Sequence, residues 1–125
     1  MNDKKLFRLT LGIQGSYILL TALWALLDID SFMTVTGPKT DIWLVKTVSV
    51  LLIPIAVCFL SNLYFTQHPL PVILLALTTS IGLSCIDFYY TSNHTIKWVY
   101  ALDGFVEVFF ALVWSYLLIR YRRLL

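Results

Sequence analysis

The chain has 125 residues, of which 59% are hydrophobic and 13% are charged. Water-soluble domains carry about 45–50% apolar and about 25% charged residues, so this composition excludes an ordinary soluble core and indicates a membrane protein. The net charge of +2 is small, and the pattern contains no basic helix of the kind that binds nucleic acid, so nucleic acid is not an expected partner.

Four segments are long and apolar enough to cross about 30 Å of hydrocarbon as helices, which takes about 20 residues each. They cover about residues 6–27, 42–65, 71–90 and 98–121. The connections between them are short, which predicts that neighbouring helices run antiparallel. The expected fold class is therefore all-α: a four-transmembrane-helix up-down bundle, integral to the membrane, forming a single domain over residues 1–125.

Basic residues flank both ends of this predicted bundle: Lys4, Lys5, Arg8, Arg120, Arg122 and Arg123. The first apolar run is too long for a signal-peptide core and lacks a small-residue cleavage site, so we interpret it as a retained helix. The positive-inside rule then predicts that both termini are cytoplasmic. An even number of spans requires the same side for both ends, so the two indications agree.

The first outer connection, residues 28–41, is the longest, and we expect it to fold back over the outer mouth of the bundle as a cap. Cys58 and Cys85 fall in different apolar segments near opposite ends, which predicts that they do not form a disulfide. The chain has no Cys-x-x-Cys motif and no Cys/His cluster, so we expect neither a metal nor a cofactor.

Polar residues recur at helical spacing within the apolar segments, and lipid cannot satisfy their hydrogen bonds. We therefore expect these polar faces to turn toward one another. The predicted site residues are Glu107, Asp103, Lys46, Gln14, Tyr17, Tyr100, Trp114, Asp87 and Asp28.

Asp103 and Glu107 are the most informative of these residues because they lie within the apolar fourth segment. An ionised carboxylate there costs several kcal/mol unless it is paired, hydrated or protonated. Counted at about 1.5 Å per residue, Lys46 and Asp103 lie at matching depth and are expected to pair. Glu107 would then be the surplus acid, which binds a proton or a cation. The alternative is a buried ion-pair network that only sets the register of the helices.

Three functions fit this pattern. The first is a binding protein for a lipophilic or cationic small molecule, with the acids supplying charge and Tyr17, Tyr100 and Trp114 supplying aromatic walls. The second is a proton- or cation-coupled transporter, working as a homo-oligomer because four short spans enclose little volume. The third is a non-catalytic membrane subunit or assembly factor. No nucleophile–base pair is evident, so we predict no catalytic residues and favour a protein that is not an enzyme. An isomerase or related lipid-modifying enzyme, with Glu107 as proton donor or acceptor, stays open as a variant of the first function.

Overall fold

The computed structural model describes residues 2–65 and 68–125, and in that part the chain is all-helical without a β-strand. The elements in chain order are α1 (Asp3–Leu27), α2 (Ile29–Thr36), α3 (Ile42–Phe65), α4 (Pro69–Ser92), α5 (Val99–Ile119) and a terminal 3₁₀ turn (Tyr121–Leu124). Four of these helices, α1, α3, α4 and α5, are each long and apolar enough to cross a membrane. The predicted four long apolar helices are confirmed, with ends that differ by a few residues from the sequence estimate.

The connection between α1 and α3 contains a helix that the sequence analysis did not predict. Asp28 ends α1, and its side chain accepts a hydrogen bond from the backbone N–H of Ser31, which caps α2. Gly37 ends α2 with φ 102°, a left-handed conformation that a residue without a Cβ adopts at little cost. The Phe32 ring packs edge-on against Trp24, with ring centres 5.2 Å apart, and holds α2 against α1.

The long helices form two closely packed antiparallel pairs, α1 with α3 and α4 with α5, whereas α3 and α4 make only sparse contact. Glycine permits the close approach in each pair. A Cβ built on Gly15 would lie 3.0 Å from Leu60 of α3, and a Cβ built on Gly104 would lie 2.9 Å from the Phe88 ring of α4. The bundle therefore consists of two closely packed helix pairs, with looser packing between α3 and α4.

The two chain ends lie together at one end of the bundle. Arg120 pairs with Asp3 at 3.0 Å, and the Tyr116 hydroxyl donates to the same carboxylate at 3.2 Å. We call the half of the bundle that contains these contacts the terminal half, and the half that contains α2 the mouth half. The terminal half holds most of the apolar core, built from Phe7, Leu11, Ala56, Phe59, Val72, Ile73, Ala76, Phe110, Trp114 and Leu117. The terminal half is therefore close-packed.

Candidate functional site

A cavity of about 340 Å³ lies in the mouth half, between the two helix pairs. Its walls on α3 and α4 are mainly aliphatic, whereas three carboxyl groups from α4 and α5 form its polar side: Asp87, Asp103 and Glu107. Apolar walls with a few convergent polar groups are typical of small-molecule sites, and the volume falls in their usual range.

Helix geometry explains why the three acids meet. Asp103 and Glu107 are four residues apart on α5, so they occupy one face about one turn apart. Asp87 precedes Phe88, the residue of α4 that packs directly on Gly104. This close approach places Asp87 and Asp103 on the same cavity.

The hydrogen bonds of the three acids are incomplete. The Tyr17 hydroxyl donates to Asp103, and Ser80 lies near Glu107. Among the described residues, Asp87 Oδ2 and Glu107 Oε2 are buried and have no hydrogen-bond partner. Glu107 is only 1% exposed and Asp87 only 5%. Buried oxygens of this kind are costly to leave without a donor.

Phe32 of α2 and Lys39 of the following loop cover the end of the cavity beyond the acids, and we call them the roof. The Lys39 ammonium lies 5.1 Å from the centre of the Tyr100 ring and 5.6 Å from the centre of the Phe32 ring. The same ammonium donates to Thr36 Oγ1 and to the carbonyl of Gly37, each at 3.1 Å. Lys39 thus has its hydrogen bonds at the end of α2, and it makes no ion pair with the acids in the described part of the chain.

A buried hydrogen-bond chain lies beneath the acids and links three helices. The Trp114 indole N–H donates to Gln14 Oε1 at 2.6 Å, and Gln14 Nε2 donates to the Ser80 hydroxyl at 2.8 Å. Both Gln14 and Trp114 are fully buried. Ser80 also lies near Glu107, so this chain forms a packed polar layer beside that carboxyl group.

A second cavity of about 270 Å³ lies between α1 and α5. The two cavities share several lining residues, among them Tyr17 and Asp103, which are joined by a hydrogen bond. Asp87 and Glu107 line only the larger cavity. The two acids that carry an unpartnered oxygen therefore belong to the larger cavity.

The structure brings five of the nine sequence-predicted site residues together around that cavity: Tyr17, Asp87, Tyr100, Asp103 and Glu107. Gln14 and Trp114 lie in the hydrogen-bond chain below it, so Trp114 is a packed core residue rather than a wall of the cavity. Asp28 is exposed and caps α2.

The expected ion pair between Lys46 and Asp103 is wrong within the described residues, because Lys46 is exposed and does not line the cavity. Successive residues of a helix point about 100° apart, so Lys46 is turned away from its neighbour Val45, which does face the cavity. Its long side chain can reach a polar interface while its methylene groups stay in apolar surroundings.

Sequence reasoning missed most of the residues that line the cavity, among them Phe32 and Lys39 in the roof, and it left Ser80, which lies near Glu107, out of the site. A signal for Phe32 was present. Phe32 and Thr36 are four residues apart, which places them on one side of a helix that begins at a capping aspartate, and Lys39 follows shortly after the Gly37-Pro38 turn that ends this helix.

Comparison with known proteins yields no match: no protein family, no curated protein and no solved structure matches this chain.

Proposed function

We propose that this protein is an integral membrane protein that binds a lipophilic cationic small molecule, such as a hydrophobic amine, in the cavity of its mouth half. One observation carries the proposal: Asp87 and Glu107 line a mainly apolar cavity, and each has a buried carboxyl oxygen without a hydrogen-bond partner among the described residues. A bound ammonium group would supply both the charge and the hydrogen-bond donors that these oxygens lack.

The membrane setting is supported by the outer faces of the long helices, which present large apolar side chains such as Leu20, Leu51, Phe105 and Leu112. Lipid would cover these faces, and the bundle would be an up-down arrangement with both termini cytoplasmic, as the basic flanks predict. A cysteine placed at Lys5 in a chain whose Cys58 and Cys85 are replaced by alanine should resist a membrane-impermeant maleimide in intact cells. A cysteine at Asn93 should react. The reverse pattern would contradict this orientation.

Charge balance favours a cationic ligand over a neutral one. Three acids line the cavity, and Lys39, the basic residue that also lines it, already donates to the end of α2. Transfer of an unpaired carboxylate into an apolar site costs several kcal/mol, so a ligand that neutralises charge there gains affinity from relieving that cost.

Thermal unfolding of the purified protein with hexylamine and with phenylethylamine tests the proposal. At a free amine concentration of 100 times Kd, binding would raise the free energy of unfolding by about 2.7 kcal/mol. Glu107→Gln should lose this stabilisation. Asp30→Asn is the matched control because it removes an exposed acid outside the cavity, and it should respond like the wild type. Equal responses in all three proteins would contradict binding at the acids.

Proton-coupled transport is a second candidate, because buried carboxyl groups that form no ion pair with another described residue are able to exchange a proton for a cation. The close-packed terminal half argues against it, since Leu11, Phe59, Ile73 and Trp114 are fully buried between the cavity and the chain ends. Proteoliposomes containing a pH-sensitive dye separate the two candidates. We expect no proton flux on addition of hexylamine, whereas a flux abolished by Glu107→Gln would establish transport.

A further inference from the structure

The larger cavity opens sideways, between α3 and α4. Among the residues that line it, the well exposed ones are Leu44 and Val48 on α3 and Ile86 on α4. Val48 is 52% exposed and Ile86 is 53% exposed. The lining residues on α1 and α5 are buried or half-buried. In a membrane, an opening with aliphatic edges on the side of a bundle faces acyl chains rather than water.

The chemistry of the lining changes from the opening to the inner side of the cavity. At the edge the lining is aliphatic, from Val48 and Ile86, and at the inner side it includes Asp87 and Glu107, each of which carries a buried carboxyl oxygen without a partner. A ligand that fits both must be amphipathic, with a hydrocarbon chain toward the opening and a polar head at the acids.

The two oxygens also constrain the head group. A buried acceptor needs a hydrogen-bond donor and not only a nearby positive charge. A primary ammonium carries three N–H donors, as in lysine, whereas a quaternary ammonium carries none. Only a head with several N–H donors can satisfy Asp87 and Glu107 together.

We propose that the ligand is a long-chain primary amine that enters from the bilayer between α3 and α4, donates its ammonium hydrogens to Asp87 and Glu107, and leaves its hydrocarbon chain in the opening. This inference rests on the proposed function and deepens it by naming the ligand class and the route of entry.

Three amphiphiles that share a dodecyl chain and differ in the head group test the choice of head group. The protein is reconstituted in phosphatidylcholine nanodiscs, and its thermal midpoint is followed as dodecylamine, dodecyltrimethylammonium or dodecanol is added to the bilayer. Dodecylamine should act at a mole fraction about tenfold or more below that of the quaternary analogue, because each oxygen left without a donor weakens binding by about that factor. Dodecanol should have little effect. Equal potency of the two cations would overturn the primary-amine assignment.

Bulky substitutions test the route. Ile86→Trp narrows the opening between α3 and α4, and Ile81→Trp is the control on the same helix at an exposed position that does not line the cavity. Leu102→Trp narrows the second cavity between α1 and α5 instead. We expect Ile86→Trp to lose the response to dodecylamine and keep that to hexylamine, while the other two variants keep both.

The possible failures are distinguishable. An unchanged dodecylamine response in Ile86→Trp, or a loss in Leu102→Trp alone, would overturn entry between α3 and α4 while amine binding stands. If Ile86→Trp and Val48→Trp each lost the thermal response to both dodecylamine and hexylamine, the placement of the ligand's hydrocarbon chain in the opening would be overturned. Hexylamine is too short to need that space. No response to any amine in the wild type would remove the proposed function itself.

Discussion

Replacement of Gly104 by alanine should separate the α4–α5 pair at the point that sets the geometry of the site. A Cβ there would lie 2.9 Å from Phe88 Cζ and 3.1 Å from each neighbouring ring carbon, whereas carbon atoms prefer about 3.5–4.0 Å. The Phe88 ring must therefore move by about 0.5–1 Å. The Phe105 ring packs against the Phe88 ring in a T-shaped arrangement with ring centres 5.1 Å apart, which restricts that movement.

The expected energy follows from two opposing contributions. Overpacking of this size costs about 1–3 kcal/mol, and the better helix propensity of alanine returns up to about 1 kcal/mol. We expect a net loss of about 1–2 kcal/mol in the free energy of unfolding. Gly82 is the matched control, since a Cβ there meets no atom within 4 Å, so Gly82→Ala should be neutral or stabilising by up to about 1 kcal/mol.

Unfolding in mixed micelles by titration with sodium dodecyl sulfate, followed by circular dichroism, measures both variants. Gly104→Ala should also weaken the response to hexylamine, because displacement of Phe88 moves the neighbouring Asp87 away from α5. A Gly104→Ala protein as stable as Gly82→Ala would refute the close packing of α4 on α5, and with it the explanation of how the acids meet.

Three smaller predictions follow from other contacts. Gln14→Leu leaves the buried Trp114 indole without an acceptor and should lower the free energy of unfolding by about 1–3 kcal/mol; Trp114→Phe is also destabilising because Trp114 is fully buried, but the double variant should lose less than the sum of the two single losses, and simple additivity would contradict the hydrogen bond. Asp3→Asn removes a partly exposed ion pair with Arg120 and should cost less than about 1 kcal/mol, with a difference that shrinks in high salt. Asp28→Ala removes the cap of α2 and should cost about 1 kcal/mol locally, seen as faster proteolysis in residues 28–41 with little change in global unfolding.

Sequence reasoning reached the long helices and much of the site because both depend on periodicity. A run of about 20 apolar residues leaves few alternatives to a helix, and a spacing of four places Asp103 and Glu107 on one face whatever the surroundings. The same reasoning put Tyr17 and Tyr100 beside these acids, because a polar residue in an apolar helix must face its neighbours. These conclusions required only the geometry of single helices.

Lys46 shows where that reasoning stops. Counting residues gives depth along a helix but not rotation about its axis relative to neighbours. Lys46 and Ser49 are about 60° apart in projection, and the boundary between inside and outside falls between them: Ser49 is buried and Lys46 is exposed. Trp114 was misassigned for a related reason. A residue on an inward face lines a cavity only where other helices leave space, and that depends on packing between helices distant in sequence.

The close-packed terminal half and the acidic mouth half suggest a division of stability and function. Strong packing around Trp114 and Phe59 offsets the cost of carboxyl oxygens left without donors near the other end. Glu107→Gln should therefore stabilise the ligand-free protein, because it replaces one buried acid with a neutral amide whose N–H groups lie near the remaining carboxylates. We expect a gain of about 1–3 kcal/mol in the free energy of unfolding without amine, together with loss of the response to hexylamine. A Glu107→Gln protein that is clearly less stable than the wild type would mean that Glu107 is a satisfied structural residue, and the case for a binding site at these acids would fail.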